Sequence, residues 1–527
     1  MKIVQDFLKS NIVLFVLIVC TYFIANPFFI SKMNTFIFRP ETITTKMVSL
    51  IVFFSINILF IVFLYYLAKT KTLYKIYFLI FILIGNIIYI TFYFSTSNLL
   101  TFFDFVVLRT SAANFEDAFF SYFQNILKSS LYLIPLLIII LIKRYTNKSY
   151  LKEIVFLFLL PIFLISGVII YKKTGRGAEG LPPMIIPYSY ELSYLGNNFL
   201  SKPFKQREAP DYDNKNSLQN IVLIIDESIR SDFINSTVTP EVKNLKNIIN
   251  FGKATSYANC SQYSNILIRK LARYGKEVND LRNNLNIWEV MKKANYENYL
   301  VDSQGNGRGH NFFTEKELEG INNINTKTFK DDIDSAKEIN NILKSNNKKK
   351  FILLIKKGAH FPYVNENIEL KFTPNMTSKM MAFNTKEQII NSYSNLIYHN
   401  TNLFFKEIQD KYDSTLFIYT SDHGQNLENL ENRQTHCSVN EPEGTQGDVP
   451  FLLFGDINID SLILENLKNI KVSHYLIPYI LMSGAGYSNE SIENLMGGGE
   501  IPSINEFLYG NVYGFFGGEG ERKNIEE

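Results

Sequence analysis

Five long apolar runs in the first third of the chain constrain its fold more than any other feature. An α-helix needs about 20 apolar residues to cross the hydrocarbon core of a bilayer, and most of these runs approach that length. They are Ile12–Ala25, Met47–Ala68, Ile76–Phe94, Leu131–Ile142 and Ile154–Tyr171. The fourth is the shortest, so an interfacial helix is an alternative to a span there. The sequence predicts a membrane domain of about five helices over residues 1–171.

The distribution of lysines predicts how this domain is oriented. Positive residues concentrate on the cytoplasmic side of membrane proteins. Met1–Ser10, Lys69–Lys75 and Lys143–Lys152 carry most of the Lys and Arg residues between the runs. We therefore expect a cytoplasmic N-terminus. With an odd number of spans, everything after Tyr171 then lies outside the cytoplasm.

The composition changes after the last run. Residues 172–220 contain glycines, a proline pair and a polar stretch, which is typical of a linker. Within it, Tyr188–Leu200 fits either an interfacial helix or a plain spacer. Residues 221–527 are rich in Asn, Lys, Glu and Asp, as in a soluble domain. They end in a glycine-rich tail that we expect to be flexible, with folding back on the domain left open. The net charge of +3 has no basic stripe, which argues against nucleic acid as a partner.

Short apolar runs alternate with helical patterns from Ile221 onward. IVLIID, YLVDS, FILLI, TLFIYTSD and PFLLFGD have no alternating polar face, and helical stretches such as Lys386–Asp410 separate them. This pattern predicts an α/β domain with a mostly parallel sheet covered by helices on both sides. Ligands of such sheets bind at the carboxyl ends of the strands.

Candidate metal ligands stand at these strand ends. Glu227 follows IVLIID, and Asp422 and His423 end TLFIYTSD. Two carboxylates and an imidazole are a ligand set that zinc accepts with a fourth position open. A serine of NCSQYSN, Ser261 or Ser264, fits that position, where coordination to the metal would lower the pKa of its hydroxyl and make it a nucleophile.

Two further histidines extend this constellation, and simpler explanations exist for its members taken singly. His360 in KGAHFPY and His436 in NRQTHCS would form a second metal site or bind the transferred group. An Asp-His-Gly sequence after a strand is often only a turn, and Glu227 and the serines are also common helix caps. The combination at the ends of different strands favours a site.

At this point the residues resemble a known family. IIDESIRSD, NCSQYSN, KGAHFPY, YTSDHGQN and QTHC are similar, in this order, to motifs of the phosphoethanolamine transferases. These are inner-membrane enzymes with about five spans and a periplasmic zinc domain of the alkaline phosphatase and sulfatase type. The resemblance covers nearly the whole chain. It implies a multi-span α-helical membrane domain followed by a periplasmic catalytic domain over residues 221–527.

The resemblance assigns roles to individual residues. Glu227, Asp422 and His423 match the family's zinc ligands, and His360 and His436 match its further histidines. The nucleophile of relatives is usually a threonine four residues after a cysteine, so counting from Cys260 favours Ser264, with Ser261 as the alternative. The resemblance thus implies a zinc site of Glu227, Ser264, Asp422 and His423, with one ion and room for a second.

Three departures from the family pattern stand out. Asp226 replaces the glycine that often precedes the first glutamate, and it could add a ligand to a second site. His360 is followed by Phe-Pro instead of Gly-Pro. Relatives have several disulfides, whereas this chain has three cysteines with Cys20 in an apolar run, which leaves Cys260 and Cys437 as the possible pair.

The resemblance implies transfer of phosphoethanolamine from phosphatidylethanolamine to lipid A, a lipooligosaccharide core or another glycan through a covalent serine intermediate. A glycerophosphate transferase of the lipoteichoic-acid-synthase type has the same layout and stays open, as does a sulfatase-like phosphodiesterase. A formylglycine sulfatase is disfavoured because Cys260 and Ser261 lack the x-Pro-x-Arg that must follow. A non-catalytic binding module would be expected to lack a ligand, and none is missing.

Overall fold

The computed structural model describes residues 10–30, 33–34, 42–96, 98–110, 115–142, 150–172, 178, 181–200, 206–213, 217–304, 313–325, 327–364, 367–378, 383–408, 414–428, 434–498 and 501–526. Contacts between residues divide the chain into two compact units. The helical unit comprises Met1–Arg109, Tyr122–Ser201 and Phe515–Gly518. The sheet unit comprises Thr110–Ser121, Lys202–Gly514 and Glu519–Glu527.

Apolar helices precede the sheet. They are α1 (Asn11–Ala25), α2 (Ile43–Lys69), α3 (Thr72–Thr96), α4 (Phe102–Thr110), α5 (Phe115–Ile142), α6 (Leu151–Lys172) and α7 (Ile186–Leu200). In the described part of the chain, α2, α3, α5 and α6 are long and apolar enough to cross a membrane. The fourth apolar run, for which a span and an interfacial helix were both open, therefore lies in a helix that is long enough to span a membrane. Because α1 has only 15 residues, the first span stays a prediction.

Helix α7 covers the linker segment for which a helix and a spacer were both open. The orientation of the membrane domain is not tested by these elements. Residues 1–9 and 143–149, which belong to the predicted cytoplasmic segments, lie outside the described residues. A cytoplasmic N-terminus therefore stays a prediction.

A seven-stranded sheet forms the centre of the sheet unit. Its strands are β1 (Asn220–Asp226), β2 (Ile249–Thr255), β3 (Glu297–Asp302), β4 (Asn323–Asn325), β5 (Lys350–Ile355), β6 (Thr415–Ser421) and β7 (Asp448–Gly455). Their order is β2-β7-β6-β1-β5-β3-β4. The five strands from β6 to β4 are parallel. At one side of the sheet, β7 pairs antiparallel with β6, and β2 pairs antiparallel with β7. The prediction of a mostly parallel sheet is confirmed.

Helices cover both faces of this sheet, as expected for strands that are buried on both sides. They are α8 (Ser261–Arg269), α9 (Glu277–Leu281), α10 (Ile287–Lys293), α11 (Glu315–Glu319), α12 (Asp332–Lys344), α13 (Lys386–Ile397), α14 (Leu403–Ile408), α15 (Ser461–Asn469), α16 (Ile477–Ala485) and α17 (Asn489–Met496). On one face, Val222 and Ile224 share a core with Ile339 of α12 and Phe404 of α14. On the other, the Trp288 ring of α10 lies 5.5 Å from that of Phe351.

The predicted helical stretch Lys386–Asp410 is interrupted. Helix α13 begins with a capping box, in which Thr385 and Gln388 each bond to the other's backbone N–H. A π-helical turn, Tyr398–Asn402, then separates α13 from α14. Such turns arise where one extra residue enters a helix, and this one directs Thr401 toward the end of β1, where it donates to Asp226.

In its described part, the glycine-rich C-terminal tail folds back on the domain, which is the alternative to a flexible terminus that the sequence left open. It contains a two-stranded antiparallel sheet, β8 (Glu506–Tyr509) and β9 (Glu521–Asn524). Leu508 of β8 also bonds to the backbone just before α8, through Leu508 N to Tyr257 O and Asn259 N to Leu508 O. Backbone hydrogen bonds with the sheet unit therefore order this part of the tail.

The turn after β6 requires a glycine. A Cβ atom on Gly424 would lie 2.2 Å from the Thr445 carbonyl oxygen and 2.3 Å from that of Asp448. Both are backbone atoms, so no side-chain rotation relieves the clash. Close approach of two backbone segments thus explains the glycine of Asp-His-Gly.

We predict that Gly424→Ala destabilises the full-length protein by about 1–3 kcal/mol, as other overpacked sites do. The measurement is the thermal unfolding midpoint in detergent. Gly498→Ala is the matched control, because a Cβ atom there meets nothing within 4 Å. Equal midpoints for the two variants would contradict the packing argument.

Candidate active site

Two adjacent parallel strands bring the predicted ligands together. Asp226, the last residue of β1, pairs with Ser421, the last residue of β6. The next residues along each strand direction, Glu227 and Asp422-His423, therefore meet at one edge of the sheet. One ligand atom from each of the three side chains lies within 4.8 Å of the other two, and all three are buried. We call these three residues the carboxylate–histidine cluster.

The electrostatics of the cluster favour a bound cation. Asp422 Oδ1 accepts hydrogen bonds from Ser228 N at 3.0 Å and His423 N at 2.8 Å. Asp422 Oδ2 is buried and has no hydrogen-bond partner in the described part of the chain. Burial, reinforced by the charge of Glu227, raises the pKa of Asp422 to about 7. Burial also raises the pKa of Glu227.

Two buried carboxylates that lack a neutralising side chain are costly unless a cation binds them. None of the described lysines or arginines forms an ion pair with Glu227 or Asp422. Asp422 Oδ2, which has no hydrogen-bond partner among the described residues, is available to bind a divalent ion. Two carboxylates and one imidazole are metal ligands that zinc accepts. The residues present therefore fit the metal that the sequence predicts.

His423 is oriented to present one ring nitrogen to the cluster. Its Nδ1 lies 2.7 Å from the Gly424 carbonyl oxygen, which can only accept. Nδ1 therefore carries the ring hydrogen and donates a hydrogen bond to that oxygen. Nε2 then faces Glu227 Oε1 at 3.5 Å and Asp422 Oδ2 at 3.7 Å with its lone pair. A carbonyl that fixes the tautomer in this way is a common partner of metal-binding histidines.

Ser261, the alternative nucleophile, lies at the cluster. It is the first residue of α8, and its Oγ is 3.0 Å from His423 Nε2 and 3.4 Å from each carboxylate oxygen of Glu227. The helix N-terminus carries partial positive charge, which favours an anionic form of this hydroxyl. Ser261 therefore has both the contacts and the electrostatic setting of a nucleophile.

Ser264, the preferred candidate for the nucleophile, lies away from the cluster. Ser264 lies one helical turn further along α8, where its buried Oγ is 3.3 Å from His474 Nδ1. That nitrogen also accepts from Tyr257 N at 3.1 Å, and burial lowers the pKa of His474 to about 3. Ser264 thus contacts a neutral structural histidine, and no hydrogen bond among the described residues joins it to the cluster.

A disulfide fastens the start of α8 to the segment that carries His436. Cys260, the residue before Ser261, is bonded to Cys437, which answers what the sequence left open. Cys437 N also donates to Asn259 O at 2.7 Å, and Asn259 Nδ2 donates to Ser438 O at 2.9 Å. Ser261 and His436 are therefore each next to a residue of the same covalent link.

His360 and His436 lie beside the cluster, as the sequence predicts. The rings of His436 and His423 are nearly parallel with centroids 4.5 Å apart, and the centroid of His360 lies 6.3 Å from that of His436. His436 Nδ1 is 3.1 Å from Gln425 Oε1. Three histidines thus share one side of the site, but whether His360 and His436 bind metal or substrate stays a prediction.

Asp226 is committed to another partner. Its carboxylate forms a buried ion pair with Lys356 and accepts from Thr401 Oγ1 at 2.7 Å and Tyr419 OH at 2.8 Å. Successive residues at a strand end point in opposite directions, so Asp226 faces away from the side on which Glu227 lies. The role of Asp226 as a further metal or substrate ligand stays a prediction, and these contacts do not favour it.

Sequence reasoning missed two residues that contact Glu227. Ser228 Oγ donates to Glu227 Oε1 at 2.7 Å, and Gln304 Nε2 donates to Glu227 Oε2 at 3.0 Å. Gln304 follows β3, and the rule that strand ends form the site could have identified it. Asp302, which the same rule marks, accepts from Gln304 N at 2.9 Å.

Comparison with known proteins connects this geometry to a family. A family model described as Sulfatase matches residues 219–493, which is more than half of the chain. No curated protein sequence matches the chain significantly.

Among solved structures, the integral membrane protein lipooligosaccharide phosphoethanolamine transferase A (EptA) from Neisseria meningitidis is similar over 90% of this chain and 97% of that chain. The TM-score is 0.61 and the sequence identity 16%, which shows a shared fold. The periplasmic domain of EcEptC from Escherichia coli, in a complex with Zn, has a TM-score of 0.46 and 18% identity. It covers 61% of this chain and 97% of that chain.

We predict that Asp422→Asn abolishes zinc binding. Zinc should raise the unfolding midpoint of the parent and leave that of the variant unchanged. At a free zinc concentration 100 times the dissociation constant, binding stabilises the parent by about 2.7 kcal/mol. Without zinc, Asp422→Asn is at least as stable as the parent, because it removes a buried charge and keeps the oxygen that accepts from the backbone. Zinc content and unfolding midpoints are the measurements.

Glu428→Gln is the control for this change, since Glu428 lies on the same segment with a half-exposed side chain paired to Arg230. It should bind zinc like the parent. Retention of zinc by Asp422→Asn would refute the assignment of the metal ligands.

We further predict that Cys260→Ser lowers the stability of the full-length protein by about 2–4 kcal/mol, the usual contribution of a native disulfide. A reductant should lower the unfolding midpoint of the parent to that of Cys260→Ser and leave the variant unchanged. Cys20→Ser is the control, because Cys20 is outside the disulfide. A midpoint of the parent that does not respond to reductant would contradict this prediction.

Proposed function

The chain belongs to the sulfatase family, and we propose that it is a membrane-anchored transferase that moves phosphoethanolamine from phosphatidylethanolamine to an acceptor of the cell envelope. The observation that carries the proposal is the Ser261 hydroxyl at the N-terminus of α8, 3.0 Å from His423 Nε2 and 3.4 Å from Glu227. The EptA-like fold and the apolar helices ahead of the sheet unit support it.

Glu227, Asp422 and His423, with Ser261, would hold the metal, which we propose to be zinc, with one ion and room for a second. When bound, zinc lowers the pKa of the serine hydroxyl and neutralises charge on the phosphoryl oxygens. The EcEptC structure that this fold resembles is described as a zinc complex. Ser228 Oγ donates to Glu227 Oε1 beside this position.

The reaction proceeds in two displacements at phosphorus. The Ser261 hydroxyl gives up its proton and its Oγ forms a bond to phosphorus, while the bond from phosphorus to the diacylglycerol oxygen breaks. That oxygen takes up one proton as diacylglycerol leaves, so the proton count of this step is unchanged. A hydroxyl or phosphate oxygen of the acceptor then displaces Ser261 and frees the serine. We propose that His360 and His436 bind the transferred group, where fixed donors would stabilise the charge that develops on its oxygens.

The membrane domain serves the donor. A lipid substrate stays in the bilayer, so anchoring the catalytic domain raises the effective concentration of the headgroup at the site. We propose the bacterial inner membrane, with the N-terminus in the cytoplasm and the catalytic domain in the periplasm. The Cys260–Cys437 disulfide supports this side, since disulfides persist in oxidising compartments. The acceptor is a lipid- or glycan-borne group such as lipid A.

A formylglycine sulfatase is disfavoured by two observations. The x-Pro-x-Arg sequence is absent after Cys260 and Ser261, and Cys260 is in a disulfide. A glycerophosphate transferase would use the same metal and serine, and only the donor headgroup differs. The identity of the adduct on the serine therefore distinguishes the two transferases.

We predict that the full-length protein, incubated with zinc and phosphatidylethanolamine, gains the mass of one phosphoethanolamine group. Ser261→Ala should abolish the gain because it removes the attacking oxygen. The measurement is intact mass followed by mapping of the modified peptide.

Ser264→Ala is the control, since it sits on the same helix and contacts His474. It should retain the adduct. An adduct from phosphatidylglycerol alone would replace the proposed donor, and an adduct lost only in Ser264→Ala would reverse the choice of nucleophile.

A further inference from the structure

The side chain of Gln304 connects the ends of strands β3, β5 and β1 next to the carboxylate–histidine cluster. Gln304 follows β3, and in the strand order β1-β5-β3 the strand β5 lies between it and Glu227. Its Nε2 donates to Lys356 O, just after β5, at 2.7 Å and to Glu227 Oε2, just after β1, at 3.0 Å. The side chain therefore reaches across one whole strand to the carboxylate.

The orientation of this amide is determined by its neighbours. Both contacts are acceptors, and only the amide nitrogen has hydrogens to donate. A flipped amide would place its oxygen against a carboxylate and a carbonyl. Gln304 Oε1 is buried without a hydrogen-bond partner in the described part of the chain, so the two donated bonds fix the side chain.

These bonds immobilise one half of the Glu227 carboxylate. The other oxygen, Oε1, accepts from Ser228 Oγ at 2.7 Å. With a donor on each oxygen, the plane of the carboxylate is fixed, and its remaining lone pairs face Ser261 and His423. Gln304 itself is held at its backbone, where Gln304 N donates to Asp302 Oδ1 at 2.9 Å.

We propose that Gln304 is a positioning residue that orients Glu227 for the metal. The inference rests on the proposed zinc site. A partner that fixes a metal-binding side chain typically contributes 10–100-fold to metal affinity. The long side chain is essential, because it must cross β5 and donate twice.

The test compares zinc dissociation constants of full-length variants in detergent, measured by competition with a chelator. Gln304→Met keeps the length and removes both donors, and Gln304→Asn keeps the amide but is one methylene shorter. We expect both to bind zinc about 10–100-fold more weakly. Gln219→Met is the matched control, because Gln219 Nε2 donates to Asn347 O at the opposite edge of the sheet, and it should bind zinc like the parent.

Unfolding midpoints without zinc separate positioning from a structural role. A Gln304→Met variant that is less stable but binds zinc as tightly as the parent overturns the inference, as does tight binding by Gln304→Asn or a parent that binds no zinc. If Gln304→Met does not fold, Gln304→Asn decides the question. A parent that binds zinc but forms no adduct on Ser261 refutes the proposed transfer and leaves this inference intact.

Discussion

The structure of the site depends on the burial of two carboxylates where β1 and β6 end side by side. Parallel pairing in register places Glu227 and Asp422 at the same edge, where both side chains are buried and the charge of Glu227 disfavours ionisation of Asp422. Neighbouring donors reduce this cost without cancelling it. Ser228 adopts a positive φ of 62° and directs its N–H to Asp422 and its hydroxyl to Glu227. A bound cation would offset the charge that remains.

A second set of buried charges lies next to the first and contains a cationic side chain of its own. Asp226 and Asp332 flank Lys356, and all three are buried. Burial, with Asp226 nearby, outweighs the attraction of Lys356 and raises the pKa of Asp332 to about 6. Adjacent residues on β1 thus belong to different charge groups. Asp226 forms an ion pair with Lys356, whereas the charge of Glu227 would be neutralised by a metal. Of the two carboxylates, Glu227 is therefore the candidate metal ligand.

Much of this arrangement could be predicted from the sequence, because it follows from local patterns. Uninterrupted apolar runs identify the buried strands, and the strand-end rule selects Glu227, Asp422 and His423. Choosing between Ser261 and Ser264 requires the phase of α8 relative to the sheet, which a count from Cys260 does not contain. The sequence does not show that Asp226 and Glu227 face opposite sides, nor that Gln304, which the strand-end rule could have marked, reaches Glu227 across β5.

The serine and His436 raise a different physical problem from the ligands on the strands. Sheet hydrogen bonds position Glu227 and Asp422, but Ser261 begins a helix and His436 lies in a segment without regular structure. A bond between residues 177 positions apart, Cys260 and Cys437, joins these two parts next to the reacting groups. The disulfide holds Ser261 and His436 near each other, as strand pairing holds Glu227 and Asp422. Such a bond persists in oxidising compartments, so the redox state of the surroundings affects how firmly Ser261 is held beside the carboxylate–histidine cluster.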